Sequence, residues 1–286
     1  MTSHFPKISL AILVVVSGII PSCTSRKPER ETLPGQTQPQ PQAQPTSPKA
    51  VTIGVYKPAA STFFLHFTNS IGFGEVVVPF GNAGDTPIAG DWDGDGFATI
   101  GVYRPSDSTF YLRNKNSAGG ADITVTFGKK GDLPVVGDWD GNGTVTVGVY
   151  RPEEFTFYLR NSNSSGDADI TVPFGQKGDL PVAGDWDGNG TATIGVFNPD
   201  TTTFSLRNSN TPGKADITIV FGRKGDFPIV GDWDGNGTTT VGVFSPDSAL
   251  FALRNTNAAG NADIGATFGV PGDRPLAGRW VQQGSP

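Results

Sequence analysis

Oxygen-bearing side chains recur in this chain at a spacing that suits a hard cation. With Asp138 as position one, Asp138, Asp140 and Asn142 fall at one, three and five, Gly143 at six, Thr144 at seven and Thr146 at nine. Alternating oxygen donors around a glycine turn, with a backbone carbonyl at seven, are what calcium needs. The stretch returns as Asp91, Asp93, Asp95, Phe97 and Thr99, as Asp185, Asp187, Asn189, Thr191 and Thr193, and as Asp232, Asp234, Asn236, Thr238 and Thr240. Position twelve is Val149, so no bidentate glutamate completes the set. Only the copy at Asp91 keeps three carboxylates, so binding is expected no tighter than about 10⁻⁴ to 10⁻³ M. Asp-Gly-Asn-Gly is equally a tight turn between two strands that needs no metal.

Each copy contains a tryptophan. Trp92, Trp139, Trp186, Trp233 and Trp280 lie 47 residues apart and are the only five in the chain. A fixed period of this length marks a repeat architecture. Within one unit, Ile100–Arg104, Thr109–Arg113, Ile123–Phe127 and Leu133–Gly137 are rich in β-branched and aromatic residues and are bounded by turn formers. Four short strands per repeat is the make-up of a propeller blade, and a lone four-stranded sheet cannot cover both its faces. The expected fold is therefore all-β, a five-bladed β-propeller over residues 51–281. The repeats start with Ile53-Gly54-Val55-Tyr56 and end with a degraded copy, Gly278-Arg279-Trp280. If the strand before each Asp-rich loop is innermost, the first blade lacks one and the last Trp strand supplies it. Such closure removes exposed strand edges. The tryptophans then pack between blades or stack on a ligand.

The unit resembles the FG-GAP and VCBS-type repeats of integrin-like propellers. Phe80-Gly81, Phe127-Gly128, Phe174-Gly175, Phe221-Gly222 and Phe268-Gly269 match its first half, and the Asp-x-Asp-Gly-Asp/Asn-Gly loops match its second. The resemblance implies calcium held between the first and second strands of a blade. It departs at position nine, where threonine replaces the family's aspartate, and in having short repeats, five to the ring. In repeat number and length alone the chain is also similar to the five-bladed tachylectins, which bind amino sugars at sites repeated around the ring.

Other polar positions repeat as well. Arg113-Asn114, Arg160-Asn161, Arg207-Asn208 and Arg254-Asn255 could line ligand clefts or be solvated turns, and Asp132, Asp179, Asp226 and Asp273 recur beside them. Tyr103, Tyr150, Phe197 and Phe244 offer aromatic faces. Equivalent clefts would add weak affinities through avidity. A glycosidase needs two carboxylates in unlike surroundings, whereas repeated carboxylates share the same surroundings. Glu75 and Glu153-Glu154 break that symmetry without an evident partner. The expected role is non-catalytic: a cell-surface adhesion or scaffold module for a protein or glycan, with a multivalent lectin as the alternative.

Composition narrows the partners. Net charge is −6 and lysine and arginine form no stripe, so nucleic acid is not an expected partner. Two histidines, His4 and His66, are too few for a histidine-based metal or catalytic centre. A closed ring is expected to be a monomer. Residues 8–20 form an apolar run after Lys7, too short to span comfortably and suited to a signal peptide. The run leads to Ile20-Pro21-Ser22-Cys23, which resembles a bacterial lipobox and implies lipidation at Cys23, the sole cysteine. A plain secretory signal is the other reading. Residues 24–50 are rich in proline and glutamine and read as a solvated spacer. The expected location is that of an exported, membrane-anchored lipoprotein, periplasmic or at the cell surface, with residues 282–286 as a tail.

Overall fold

The computed structural model describes residues 49–280. The signal peptide, the lipobox with Cys23, nearly all of the spacer and the tail lie outside them. Among the described residues no helix is long and apolar enough to cross a membrane.

Twenty strands form five four-stranded antiparallel sheets. The inner strands are Thr86–Gly90, Leu133–Gly137, Leu180–Gly184, Phe227–Gly231 and Arg274–Gly278. They neighbour one another in a closed circle. The second strands are Thr52–Lys57, Thr99–Arg104, Thr146–Arg151, Thr193–Asn198 and Thr240–Ser245, and we number the blades 1 to 5 in that order. Third strands such as Thr109–Leu112 and outer strands such as Ile123–Thr126 complete each blade. The protein is thus a five-bladed β-propeller.

Burial follows from position in the blade. Second strands, sequence Thr-Ile-Gly-Val-Tyr-Arg in blade 2, are buried at five consecutive residues, because a neighbouring blade covers each face. Outer strands alternate exposed and buried. The hydrophobic cores lie between blades. Trp92 packs with Tyr103 and Phe110 of its own blade and with Val147 and Val149 of the next, and the other four cores repeat this plan. Two glycines per repeat permit it. A Cβ on Gly101 would lie 2.9 Å from Leu112 Cδ2 and 3.1 Å from Ile88 Cγ1. One on Gly90 would meet the Trp92 ring at 2.7 Å and Val145 Cγ1 at 2.6 Å. The tryptophan can therefore lie against the backbone of its own inner strand only where no side chain intervenes.

The ring closes as the phase of the repeat implies. Arg274–Gly278 pairs with Thr52–Lys57 from Thr52↔Gly278 to Tyr56↔Arg274, the register that Thr86–Gly90 and Thr99–Arg104 use within blade 2. Trp280 lies in the core between blades 1 and 2. A chain ending at Asp273 would leave the second strand of blade 1 as an open edge and one core without its tryptophan. We expect that truncation to abolish the single cooperative thermal transition followed by circular dichroism. Retention of the wild-type midpoint would contradict the closure.

Candidate functional site

Each Asp-rich loop joins an inner strand to a second strand, and its first aspartate organises it. Asp91 Oδ1 accepts the N–H of Gly94 at 2.7 Å and of Asp95 at 3.1 Å, while Oδ2 accepts that of Gly96 at 2.7 Å. Asp138, Asp185 and Asp232 do the same work in their loops. At position five, Asp95, Asn142, Asn189 and Asn236 accept the N–H two residues on, at Phe97, Thr144, Thr191 and Thr238. The position-nine threonines, Thr99, Thr146, Thr193 and Thr240, begin the second strands and are buried. Their hydroxyls donate to backbone carbonyls; that of Thr146 lies 2.7 Å from the Arg160 carbonyl and 3.2 Å from that of Gly137.

The first loop differs from the others. Carboxylate oxygens of Asp91, Asp93 and Asp95 come within 4.8 Å of one another, and among the described residues no other group of three metal-ligating side chains does so. Asp140, Asp187 and Asp234 project with only one further carboxylate in their loops, because position five is asparagine. Burial raises the Asp91 carboxyl above the ordinary aspartate value, as it does Asp232 in the fourth loop; three N–H donors oppose this at Asp91 and the nearby Asp95 charge adds to it. Phe97, where the other loops have threonine, lies under the Arg279 guanidinium at 4.6 Å, and Arg279 Nη1 donates to the Gly96 carbonyl at 3.0 Å. The degraded fifth copy thus covers the first loop.

The repeated arginines turn inward. Arg113, Arg160, Arg207 and Arg254 are buried, and each guanidinium donates to its own loop between third and outer strands. Arg207 reaches the Lys214 carbonyl at 2.6 Å, the Thr211 carbonyl at 3.1 Å and Asp216 Oδ2 at 3.1 Å. Asn114, Asn161, Asn208 and Asn255 give their N–H groups to the same aspartates, Asp122, Asp169, Asp216 and Asp263. Blade 1 replaces the pair by His66 and Glu75, 2.7 Å apart. The fixed nine-residue separation of arginine and aspartate is the sequence signal for this pairing. Tyr103, Tyr150, Phe197 and Phe244 are fully buried core residues, not open faces.

Two clefts open between blades. A cleft of about 430 Å³ between blades 1 and 2 is lined by Phe80, Gly81, Asn82, Arg104 and Tyr111 among others. A cleft of about 560 Å³ between blades 3 and 4 is lined by Phe174, Gly175, Gln176, Asp179 and Ser205. Most of the two linings correspond two repeats apart, but Arg104 lines only the first and Asp179 and Lys214 only the second, without their counterparts. At the seam of blades 2 and 3, Glu154 accepts Tyr158 Oη at 2.6 Å, Lys129 Nζ at 2.9 Å and Arg151 Nη1 at 3.2 Å. These donors, Tyr158 foremost, hold the Glu154 carboxyl down to about 2.

No family model matches the chain, and no curated protein does. Among solved structures, a lectin from Agrocybe aegerita, described as specifically recognising non-reducing terminal N-acetylglucosamine, is similar at 16% identity with a TM-score of 0.39. The match covers 62% of this chain and 51% of the lectin's, so it spans about half of that protein. The FG-GAP and VCBS resemblance accordingly rests on the quoted residues alone.

The loop geometry makes the first aspartate a structural residue whatever binds. Asp138→Ala would leave the Gly143 N–H without its acceptor and the Asn142 N–H with only Asp140 Oδ1 at 3.3 Å. We expect a loss of about 1–3 kcal/mol, seen as a midpoint lowered by roughly 2–4 °C per kcal/mol in calcium-free thermal melts. An unchanged midpoint would show that the bonds add nothing.

Proposed function

We propose that this protein is an exported, membrane-tethered and non-catalytic binding module that engages its partners through the clefts between blades. The observation that carries this reading is the recurrence of one cleft at two seams, in register but with different polar walls. Equivalent backbones with unequal side chains suit a surface that holds several weak contacts at once. Glu154, held ionised by three donors, is not suited to act as a general acid near neutrality. Lipidation at Cys23 and the proline-rich spacer would hold the propeller clear of a membrane surface. Glycan ends remain the second ligand class, favoured by half-exposed Phe174 beside Ser205 and Gln176 in one cleft. The direct check is a binding panel for the full chain against immobilised oligosaccharides and short charged peptides. Saturable binding to members of one class is expected; binding to none would overturn the reading.

We also propose one calcium loop, not four. Asp91, Asp93 and Asp95 would supply the carboxylates and Phe97 its carbonyl, while Thr99 stays with its strand. The cation would offset the cost of ionising a half-buried Asp91. Because the folded pKa of Asp91 is raised, its ionisation lowers stability as pH climbs from the ordinary aspartate value to the raised one. Millimolar calcium is expected to raise the thermal midpoint at pH 7 and to do so no longer in D93N/D95N. The same response in both proteins, or none in either, would remove the metal from the first loop.

A further inference from the structure

At three of the five seams a cation lies over an aromatic ring. The Arg104 guanidinium is 4.3 Å from the centre of Tyr111, that of Arg151 is 4.2 Å from Tyr158, and Lys57 Nζ is 5.0 Å from Phe64. Each of the two arginines also pairs with a buried carboxylate through two parallel donors. Arg104 Nε and Nη2 each donate to Asp85 at 2.9 Å, and Arg151 donates to Asp132 at 2.9 and 3.0 Å. The two arginine seams thus each have their own plug, a guanidinium held between a carboxylate and a ring.

At the next seam both partners of the plug change together. Asn198 stands where Arg104 and Arg151 stand, and Ser205 where Tyr111 and Tyr158 do. The carboxylate is kept: Asp179 is only 4% exposed. It accepts the Asn198 Nδ2 amide at 2.8 Å and the Gln176 N–H at 2.9 Å, both neutral donors. No guanidinium is paired with this buried carboxylate as one is with Asp85 and Asp132; Glu154 and Lys214 also line the cleft. Loss of the plug also changes the shape. The cleft here is about 560 Å³ against about 430 Å³ between blades 1 and 2, and Asp179 forms part of its wall whereas Asp85 does not line the smaller one.

We propose that the cleft between blades 3 and 4 takes an arginine side chain from a partner protein, its guanidinium set against Asp179 as Arg104 and Arg151 are set against Asp85 and Asp132. This rests on the reading of the clefts as partner sites and names the chemistry of one of them. Phe155 and Phe174 line the same cleft and supply apolar walls for the methylene stem. Arginine fits better than lysine because its planar fork matches a carboxylate with two parallel donors. The chain's net charge of −6 favours approach of a basic segment.

The test is an amide-shift titration of the full chain with a blocked Gly-Ser-Arg-Ser-Gly peptide. Its lysine and citrulline counterparts and a chito-oligosaccharide serve as comparisons. The arginine peptide is expected to shift the amides of Gly175, Gln176 and Ser205 with a Kd on the order of 1 mM, at least tenfold tighter than the citrulline peptide. D179N should lose that preference. The double variant N198R/S205Y rebuilds the plug of the sister seams, so it should fold, melt above wild type and bind no arginine peptide. Equal binding of arginine and citrulline peptides, or undiminished binding by N198R/S205Y, would overturn the proposal. Shifts at these amides with the saccharide alone would keep the cleft and remove the arginine. No shift with any probe would overturn both.

Discussion

Every blade depends on a hydrogen bond that it cannot make alone. The first residue of each Asp-rich loop offers its backbone carbonyl to the N–H that precedes the second strand of the next blade. Asp91 receives Val145 at 2.7 Å, Asp138 receives Ala192 at 2.8 Å, Asp185 receives Thr239 at 2.7 Å and Asp232 receives Val51 at 2.7 Å. Arg279 receives Ala98 at 2.8 Å and completes the circle. Beneath each of these stitches lies a tryptophan, shared between two blades and pressed on a glycine. The stitch needs only a backbone carbonyl in the right place, which is why arginine can stand for aspartate in the fifth copy.

That constraint orders the rest of the molecule. The aspartate side chain fixes the loop so that its carbonyl faces the neighbour, and the loop's oxygen atoms are mostly occupied in doing so. A cation is an addition possible in the one loop with three converging carboxylates. On the other side of the blades, buried aspartates and their arginines stiffen the seams, and the clefts form where such pairs leave room. The faithful positions are committed to holding neighbouring blades, and the clefts differ where the repeat departs from itself.

Much of this was legible in the sequence. Five tryptophans at one period gave the number of blades, and the truncated first and last units gave the closure, because both follow from backbone pairing that every repeat must satisfy. The inner-to-second-strand place of the Asp-rich loop followed from the same phase. The roles of side chains were less legible. A recurring arginine such as Arg160 reads as a surface residue, yet the glycine at Gly166 leaves a space that its guanidinium fills: a Cβ there would lie 3.2 Å from Nη2. Threonine at position nine reads as a ligand by its place in the loop, but strand pairing begins at that residue and turns its hydroxyl to carbonyls. Tyr103 and Phe197 read as faces for ligands because a period alone does not say which side the next blade covers.

Native-state hydrogen exchange tests the account most directly. The amides of Val51, Ala98, Val145, Ala192 and Thr239 should exchange only through global unfolding, as slowly as the second-strand amides, with calcium removed by a chelator. Fast exchange at these five positions in chelator, slowed by added calcium, would contradict it and would make the metal, not the stitched backbone, the joint between blades.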